Sequence, residues 1–175
     1  GLNREENLNN QLKFYNSLAL INNSGNVLDI YDKKRLVPFG EFLPLENLLS
    51  KLGLKSLTNN YQSYSPGSSK EKILRINNDE LGFLPLICYE IIYSGQIIKN
   101  QSFDHIINIS EDGWFGKSIG PEQHLIHSVF RAIESGKYVV LINHPLSSER
   151  EDAGTQMGTI LDGLARFSEK HDFLV

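Results

Sequence analysis

A chain of 175 residues, 40% apolar and 22% charged, has the composition of one ordinary soluble domain with room for a real core. Its net charge of −4, with no basic helix face, excludes a nucleic-acid footprint, and its single cysteine excludes an internal disulfide framework. No apolar stretch approaches the length of a membrane span, no signal-peptide core opens the chain, and the five histidines, at 105, 124, 127, 144 and 171, are too scattered for a zinc site.

The first eleven residues are polar, rich in asparagine and begin without methionine, so they read as a linker or as the interior of a longer protein. Residues 14–21 (FYNSLALI) and 26–31 (NVLDIY) are strand patterns joined by NNSG, a turn composition that tolerates positive φ, and they predict a hairpin. Apolar residues at 45, 48, 49 and 52 have helical spacing, and 61–70 (YQSYSPGSSK) is a polar loop. A second pair of strands follows at 72–76 and 82–88, divided by Asn77, Asn78 and Asp79. A helix is expected over 94–100, a short buried strand at 105–109 (HIINI), and a loop over the glycine-rich 110–120 (SEDGWFGKSIG), which holds the only tryptophan. Pro121 suits a first helical turn, apolar residues at 125, 126, 129, 130 and 133 carry that helix to about Ser135, and Gly136 stops it. Residues 138–142 (YVVLI) read as another buried strand, 152–168 as a helix with Ile160, Leu161 and Leu164 on its apolar face, and Phe173 as part of a last strand. Hairpins feeding strands that alternate with helices indicate an α/β layered domain without internal repeats.

Two segments carry possible chemistry. Cys88 ends the apolar run LGFLPLIC and is followed by Tyr89 and Glu90, which puts a thiol beside a carboxylate at a strand's carboxyl end, where sites in layered α/β folds collect. A nucleophile and a small buried hydrophobe are both compatible with that position. Upstream, YDKKRLVPFGEFLP at 31–44 is an apolar loop carrying Lys33 and Glu41. Leu36, Val37, Phe39, Phe42 and Leu43 would expose apolar surface unless the loop folds back, so its lysine and glutamate would be partly desolvated. Such a pair serves catalysis, or simply pairs within a rigid loop. His124 and His127, three apart on one helix, lack a nearby third ligand. Arg131 and Glu134 have the spacing of a structural ion pair.

The strings YDKKRLVPFGEFLPLE, ICYE and NISEDGWFGKSIGPEQH, followed by FRAIESGKY, resemble in order and spacing the apolipoprotein N-acyltransferase family of the nitrilase (carbon–nitrogen hydrolase) superfamily. The resemblance covers residues 15–140, and LVPFGE with WFG and GPEQH is similar to the acyltransferase branch in particular. It implies a nitrilase-type α-β-β-α sandwich, here partial, with 1–13 as linker, 14–140 as partial catalytic domain and 141–175 as an atypical tail of strand, helix and strand. It implies Cys88 as the nucleophile that takes a fatty acyl chain from a phospholipid as a thioester, Lys33 as the oxyanion stabiliser and Glu41 as the site's second carboxylate. By the same resemblance Tyr89 and Glu90 flank the nucleophile and Trp114 and Phe115 line the lipid entrance. The acyl chain would pass to the amine of the diacylglyceryl cysteine that begins a bacterial lipoprotein, on the periplasmic side of the cytoplasmic membrane, with membrane contact made through the parent protein. No metal and no cofactor is expected. A soluble amidase of the same superfamily and a non-catalytic folded fragment are the alternatives.

Three departures shape the expectation. The family's general-base glutamate belongs to a segment before the hairpin and has no counterpart in residues 1–11, so the fragment alone is expected to be inactive or nearly so. Glu111 stands where the family usually has asparagine. After Val140 the sequence departs and weakly resembles a segment of UDP-N-acetylglucosamine 2-epimerases, in which a strand ending in His-Pro, here His144 and Pro145, precedes a helix.

Overall fold

The computed structural model describes residues 1–8, 10–42, 44, 63–68, 70, 72–76, 81–95 and 102–143, with the side chain of Trp114 excepted. Two sheets and one long helix make up this part of the α/β fold. Strands β1 (Leu2–Leu8), β2 (Gln11–Ile21) and β3 (Val27–Asp32) form an antiparallel sheet in that order. Strands β4 (Leu74–Ile76), β5 (Leu81–Ile87), β6 (His105–Ser110) and β7 (Tyr138–Asn143) form the second, in which β4 is antiparallel to β5 and β5, β6 and β7 run parallel. Helix α1 (Gly120–Ser135) makes the crossover between β6 and β7 that a parallel pair requires. It ends where Gly136, at φ 62, turns its amide back onto the Ala132 carbonyl.

Strand β5 explains why the run LGFLPLI is continuously apolar. Successive side chains leave opposite faces of a strand, and both faces of β5 are covered. Ile87 and Phe83 meet Leu18 and Tyr31 of the first sheet in one core with Leu74, Ile107 and Ile109. Leu84 and Leu86 point the other way, into a second core with Ile91, Phe103, Ile106 and Val139. Pro85 is tolerated mid-strand because β4 pairs only with Leu81, Gly82 and Phe83, so the rest of β5 pairs on one side alone, with β6.

Several expectations change. The polar opening, read as linker, is strand β1 from Leu2, paired along its whole length with β2 through a turn in which Asn10 takes φ 63. Its hold is polar: the Arg4 guanidinium lies 4.4 Å from the Tyr15 ring centroid and grips Asp32 of β3. Strand β7 is not buried on both faces, since Tyr138, Val140 and Ile142 are exposed. The buried stripe of α1 is His124, Ser128 and Arg131, while Ile126, Phe130 and Ile133 of the expected apolar face are open. The 110–120 loop contains a short 3-10 turn at Asp112–Phe115. The helices expected at 45–54 and 152–168, the last strand, and residues 96–100 of the helix expected at 94–100 lie outside the described residues. No helix among the described residues is long and apolar enough to cross a membrane.

Candidate functional site

Strand β5 stops at Ile87, and the next residue turns sharply. Cys88 takes φ 50, a left-handed conformation that costs a non-glycine residue on the order of 1–3 kcal/mol and persists only where surrounding contacts enforce it. It opens a 3-10 turn over Cys88–Ile92, and the free cysteine is half-buried there. A nucleophile at such a strand-to-helix elbow is a recurring device for exposing one reactive atom.

Glu90 fixes the elbow from within. Its side chain is buried, and among the described residues it accepts the Ile87 amide at 2.9 Å, the Lys34 amide at 2.9 Å, the Arg35 amide at 3.0 Å, and the Tyr31 hydroxyl at 3.0 Å to both oxygens. Burial pushes the Glu90 carboxyl above its ordinary range, and the backbone amides of Arg35, Ile87 and Lys34 pull it partly back. The same pocket drives the Tyr31 phenol upward, first by burial and then by the charge of Glu90. One carboxylate thus holds the amide preceding Cys88 and the amide following Lys33.

Lys33 itself leaves the end of β3 and is almost fully buried, with its ammonium 2.9 and 2.8 Å from the two oxygens of Glu41. The Glu41 carboxylate also accepts Asn16 Nδ2 at 2.8 Å and the Val37 amide at 2.8 Å, so the apolar loop folds back around its own charged pair. The backbone of Lys33 is pinned on both sides. Its amide donates to the Asn16 carbonyl at 2.8 Å, and its carbonyl accepts the Gly67 amide at 2.8 Å. Gly67 has to be glycine: a Cβ there would sit 2.2 Å from the Asp32 carbonyl oxygen.

The structure therefore brings Lys33 and Glu41 into direct contact and joins them to Cys88, Tyr89 and Glu90 through the bonds of Glu90. The Tyr89 ring stands edge-on to Tyr93, with ring centroids 5.4 Å apart, and Tyr93 in turn carries the Arg35 guanidinium 4.0 Å from its ring centroid. Arg35 is thereby a second strap between the loop and the turn. Phe115 lies against Gly120 with 42% of its surface exposed, and Trp114 shares its 3-10 turn. That turn is joined to Cys88 through Asp112 and His124. His124 is thereby committed: its ring nitrogens bond Asp112 and the Cys88 carbonyl oxygen, while His127 packs edge-on to Phe130, so the two do not form a ligand pair. The expected ion pair is present, with Arg131 Nε 2.8 Å from Glu134 Oε2, though angled away from a hydrogen bond.

The part played by Glu90 as a strut was not visible in the sequence, because three of its four donors are backbone amides, which leave no residue signature. The only available signal was a carboxylate two residues past the cysteine.

Comparison with known proteins gives a consistent picture. The carbon-nitrogen hydrolase family model matches residues 1–161. The chain is 39% identical over 153 residues to an apolipoprotein N-acyltransferase of Bradyrhizobium diazoefficiens, covering 87% of this chain and 26% of that protein. It is 45% identical over 123 residues to the protein of that name from Rhodopseudomonas palustris, covering 70% and 23%, and 42% identical over 130 residues to that from Caulobacter vibrioides, covering 73% and 24%. The chain thus spans about a quarter of the length of these curated relatives. Among solved structures, it is similar to an amidase from Nesterenkonia sp. at 17% identity and a TM-score of 0.49, over 76% of this chain and 41% of that one.

Proposed function

Since the chain belongs to the carbon–nitrogen hydrolase family, we propose that it forms part of the acyl-transfer site of an apolipoprotein N-acyltransferase. The observation that carries this reading is the Glu90 strut, which couples a strained cysteine at the end of β5 to the buried lysine at the end of β3. The similarity to the three relatives supports the acyltransferase branch of the family.

In this reading the Cys88 sulfur, as thiolate, attacks the ester carbonyl of a phospholipid. The electron pair of the carbonyl moves onto oxygen, and the Lys33 ammonium, held in place by Glu41, stabilises that oxyanion. Collapse breaks the ester bond, releases the lysophospholipid as its alcohol with the proton that left the thiol, and leaves a Cys88 thioester. The amine of the acceptor's diacylglyceryl cysteine then attacks the thioester, an amide bond forms, and the thiol is restored, which is ping-pong chemistry. Tyr89 and Glu90 shape the elbow, and Trp114 and Phe115 meet the acyl chain at the entrance. The reaction takes place at the outer face of the bacterial cytoplasmic membrane, with membrane contact supplied by the longer protein.

The test is mass spectrometry of the longer protein that contains this chain, after exposure to phospholipid vesicles and, separately, to simple amides, with Cys88→Ala as control. An acyl adduct from phospholipid confined to Cys88, discharged by an amine acceptor, is the expected result. Release of ammonia from simple amides with no uptake of acyl chain from phospholipid would overturn the proposal in favour of an amidase.

A further inference from the structure

The carbonyl oxygen of Cys88 is held as firmly as the amide before it. His124 Nε2 donates to that oxygen at 3.0 Å, from a side chain 4% exposed on the buried stripe of α1. The other ring nitrogen, Nδ1, faces the Asp112 carboxylate at 2.9 and 3.1 Å. Asp112 is itself fixed, accepting Ser110 Oγ at 2.6 Å and Asn143 Nδ2 at 2.9 Å, while its amide donates to Asn143 Oδ1 at 3.1 Å. The buried Asn108 amide lies 3.4 Å from Nε2 and its oxygen has no other partner among the described residues, so with that oxygen turned to the ring a second acceptor faces the same N–H.

An Asp–His pair beside a cysteine invites reading as a general base for the thiol. The geometry excludes that use here, because the Nε2 hydrogen bond is spent on the backbone oxygen of Cys88. What the pair does control is the peptide that follows the strained residue. Ile87 is tied to Glu90 on one side of the cysteine and the Cys88 carbonyl to His124 on the other, which over-determines a backbone conformation that a cysteine otherwise avoids. The geometry points to His124, oriented by Asp112, as a positioning residue that sets the direction of the Cys88 thiol. This inference rests on the reading of Cys88 as the acyl-accepting nucleophile.

Two substitutions separate positioning from plain packing. In His124→Gln the side-chain amide nitrogen reaches about as far as Nε2 and can still donate to the Cys88 carbonyl. In His124→Asn the shorter amide can satisfy Asp112 but falls short of Cys88. The readout is the rate at which Cys88, the chain's single cysteine, is acylated by an activated acyl ester, with circular dichroism and melting temperature followed in parallel. His124→Gln should stay near the wild-type rate, and His124→Asn should lose roughly tenfold or more while remaining folded, since small misplacements of a reacting group cost that much. Equal rates in the two folded variants would overturn the inference and leave the nucleophile reading intact. In the longer protein that contains this chain, a Cys88 thiol that alkylates but takes no acyl group would overturn the nucleophile reading and this inference with it. Should His124→Asn fail to fold, the wild-type protein decides alone: a long-range proton–nitrogen spectrum should show His124 protonated at Nε2 with slow exchange, and an unprotonated Nε2 would overturn the role.

Discussion

Glu90 accepts the Lys34 amide at 2.9 Å across 56 residues of chain, so the turn after β5 and the loop after β3 share one buried anion. Glutamine is nearly isosteric but cannot serve. One carboxylate oxygen receives the amides of Lys34 and Arg35 and the other receives that of Ile87, so either orientation of a glutamine sets its NH2 against a backbone N–H. Glu90→Gln is expected to cost about 2 kcal/mol, the usual penalty for losing a buried bond to a charged group. Chemical denaturation at neutral pH checks this; an unchanged midpoint would show that the strut carries no strain-bearing load.

The same variant has a pH signature. Burial raises the Glu90 carboxyl, against the partial opposition of its amide donors. A carboxyl whose folded pKa exceeds its unfolded one binds its proton more tightly when folded, so its contribution to stability is full below the unfolded value and is lost as pH rises through the folded value. The stability of the wild type relative to Glu90→Gln should therefore increase as the pH falls through the carboxylate range. Denaturation curves for both proteins at several acid pH values test the sign, and a difference moving the opposite way would mean that hydrogen bonding outweighs burial at this site.

Asp32 should behave in the reverse sense. Burial alone would raise it, but hydrogen bonds from Arg4 and Ser17, together with the charge of Arg4, outweigh that and hold its carboxyl below the ordinary value. Its stabilisation is present above the unfolded carboxylate value and is lost as pH falls through the folded one. Arg4→Ala removes a two-bond grip of 3.1 and 2.7 Å between partly exposed side chains, so it should cost about 1 kcal/mol near neutrality. The cost should shrink as the pH falls through the folded value of Asp32. Thermal melts of the two proteins at pH 7 and at pH 3 would expose a pH-independent loss, which would assign the effect to packing on Tyr15 instead.

How much of this was readable in advance depended on the kind of signal each residue leaves. Strand β5 was legible because burial on both faces demands the unbroken run LGFLPLI, and α1 because Pro121 and Gly136 mark its ends. Strand β1 was not, since LNREENL carries no apolar alternation and is held by its ladder and by Arg4. Lys33 and Glu41 stood out as charges stranded in an apolar loop, and they do pair. The buried face of α1 was hidden because its contents are polar: His124, Ser128 and Arg131 are inside for their hydrogen bonds and ion pairs, which a pattern of apolar spacing does not register. Glu90 and His124 act on the backbone of residues far away in sequence, and no side-chain motif announces such a partner.

Gly67 links the loop over 63–68 to the site without contributing a side chain. Its amide donates to the Lys33 carbonyl, and an added Cβ would lie 2.2 Å from the Asp32 oxygen and 2.8 Å from the Asp32 carbonyl carbon. Both are backbone atoms, so no rotamer change relieves the clash. Gly67→Ala is expected to destabilise by about 1–3 kcal/mol, the range for overpacking, and to slow Cys88 acylation by moving Lys33. Loss of stability with an unchanged acylation rate would separate this segment from the chemistry.

Lys33 and Glu41 offer the sharpest energetic test, because the lysine side chain is 1% exposed and the carboxylate 13%. Removing one member leaves an uncompensated charge in a poorly solvated place, which typically costs about 3–5 kcal/mol, whereas replacing both with neutral groups of similar shape is far less damaging. Lys33→Met should therefore be strongly destabilising, and adding Glu41→Gln to it should recover part of the loss even though Glu41 also anchors Asn16 and Val37. The interaction energy from the double-mutant cycle, read by denaturation, should be clearly favourable, and simple additivity would mean that the two charges do not depend on each other. Catalysis should part company with stability here. If Lys33 stabilises the oxyanion, the stabilised double variant still fails to take an acyl group on Cys88, whereas recovery of acylation along with the fold would reduce Lys33 to a structural partner of Glu41.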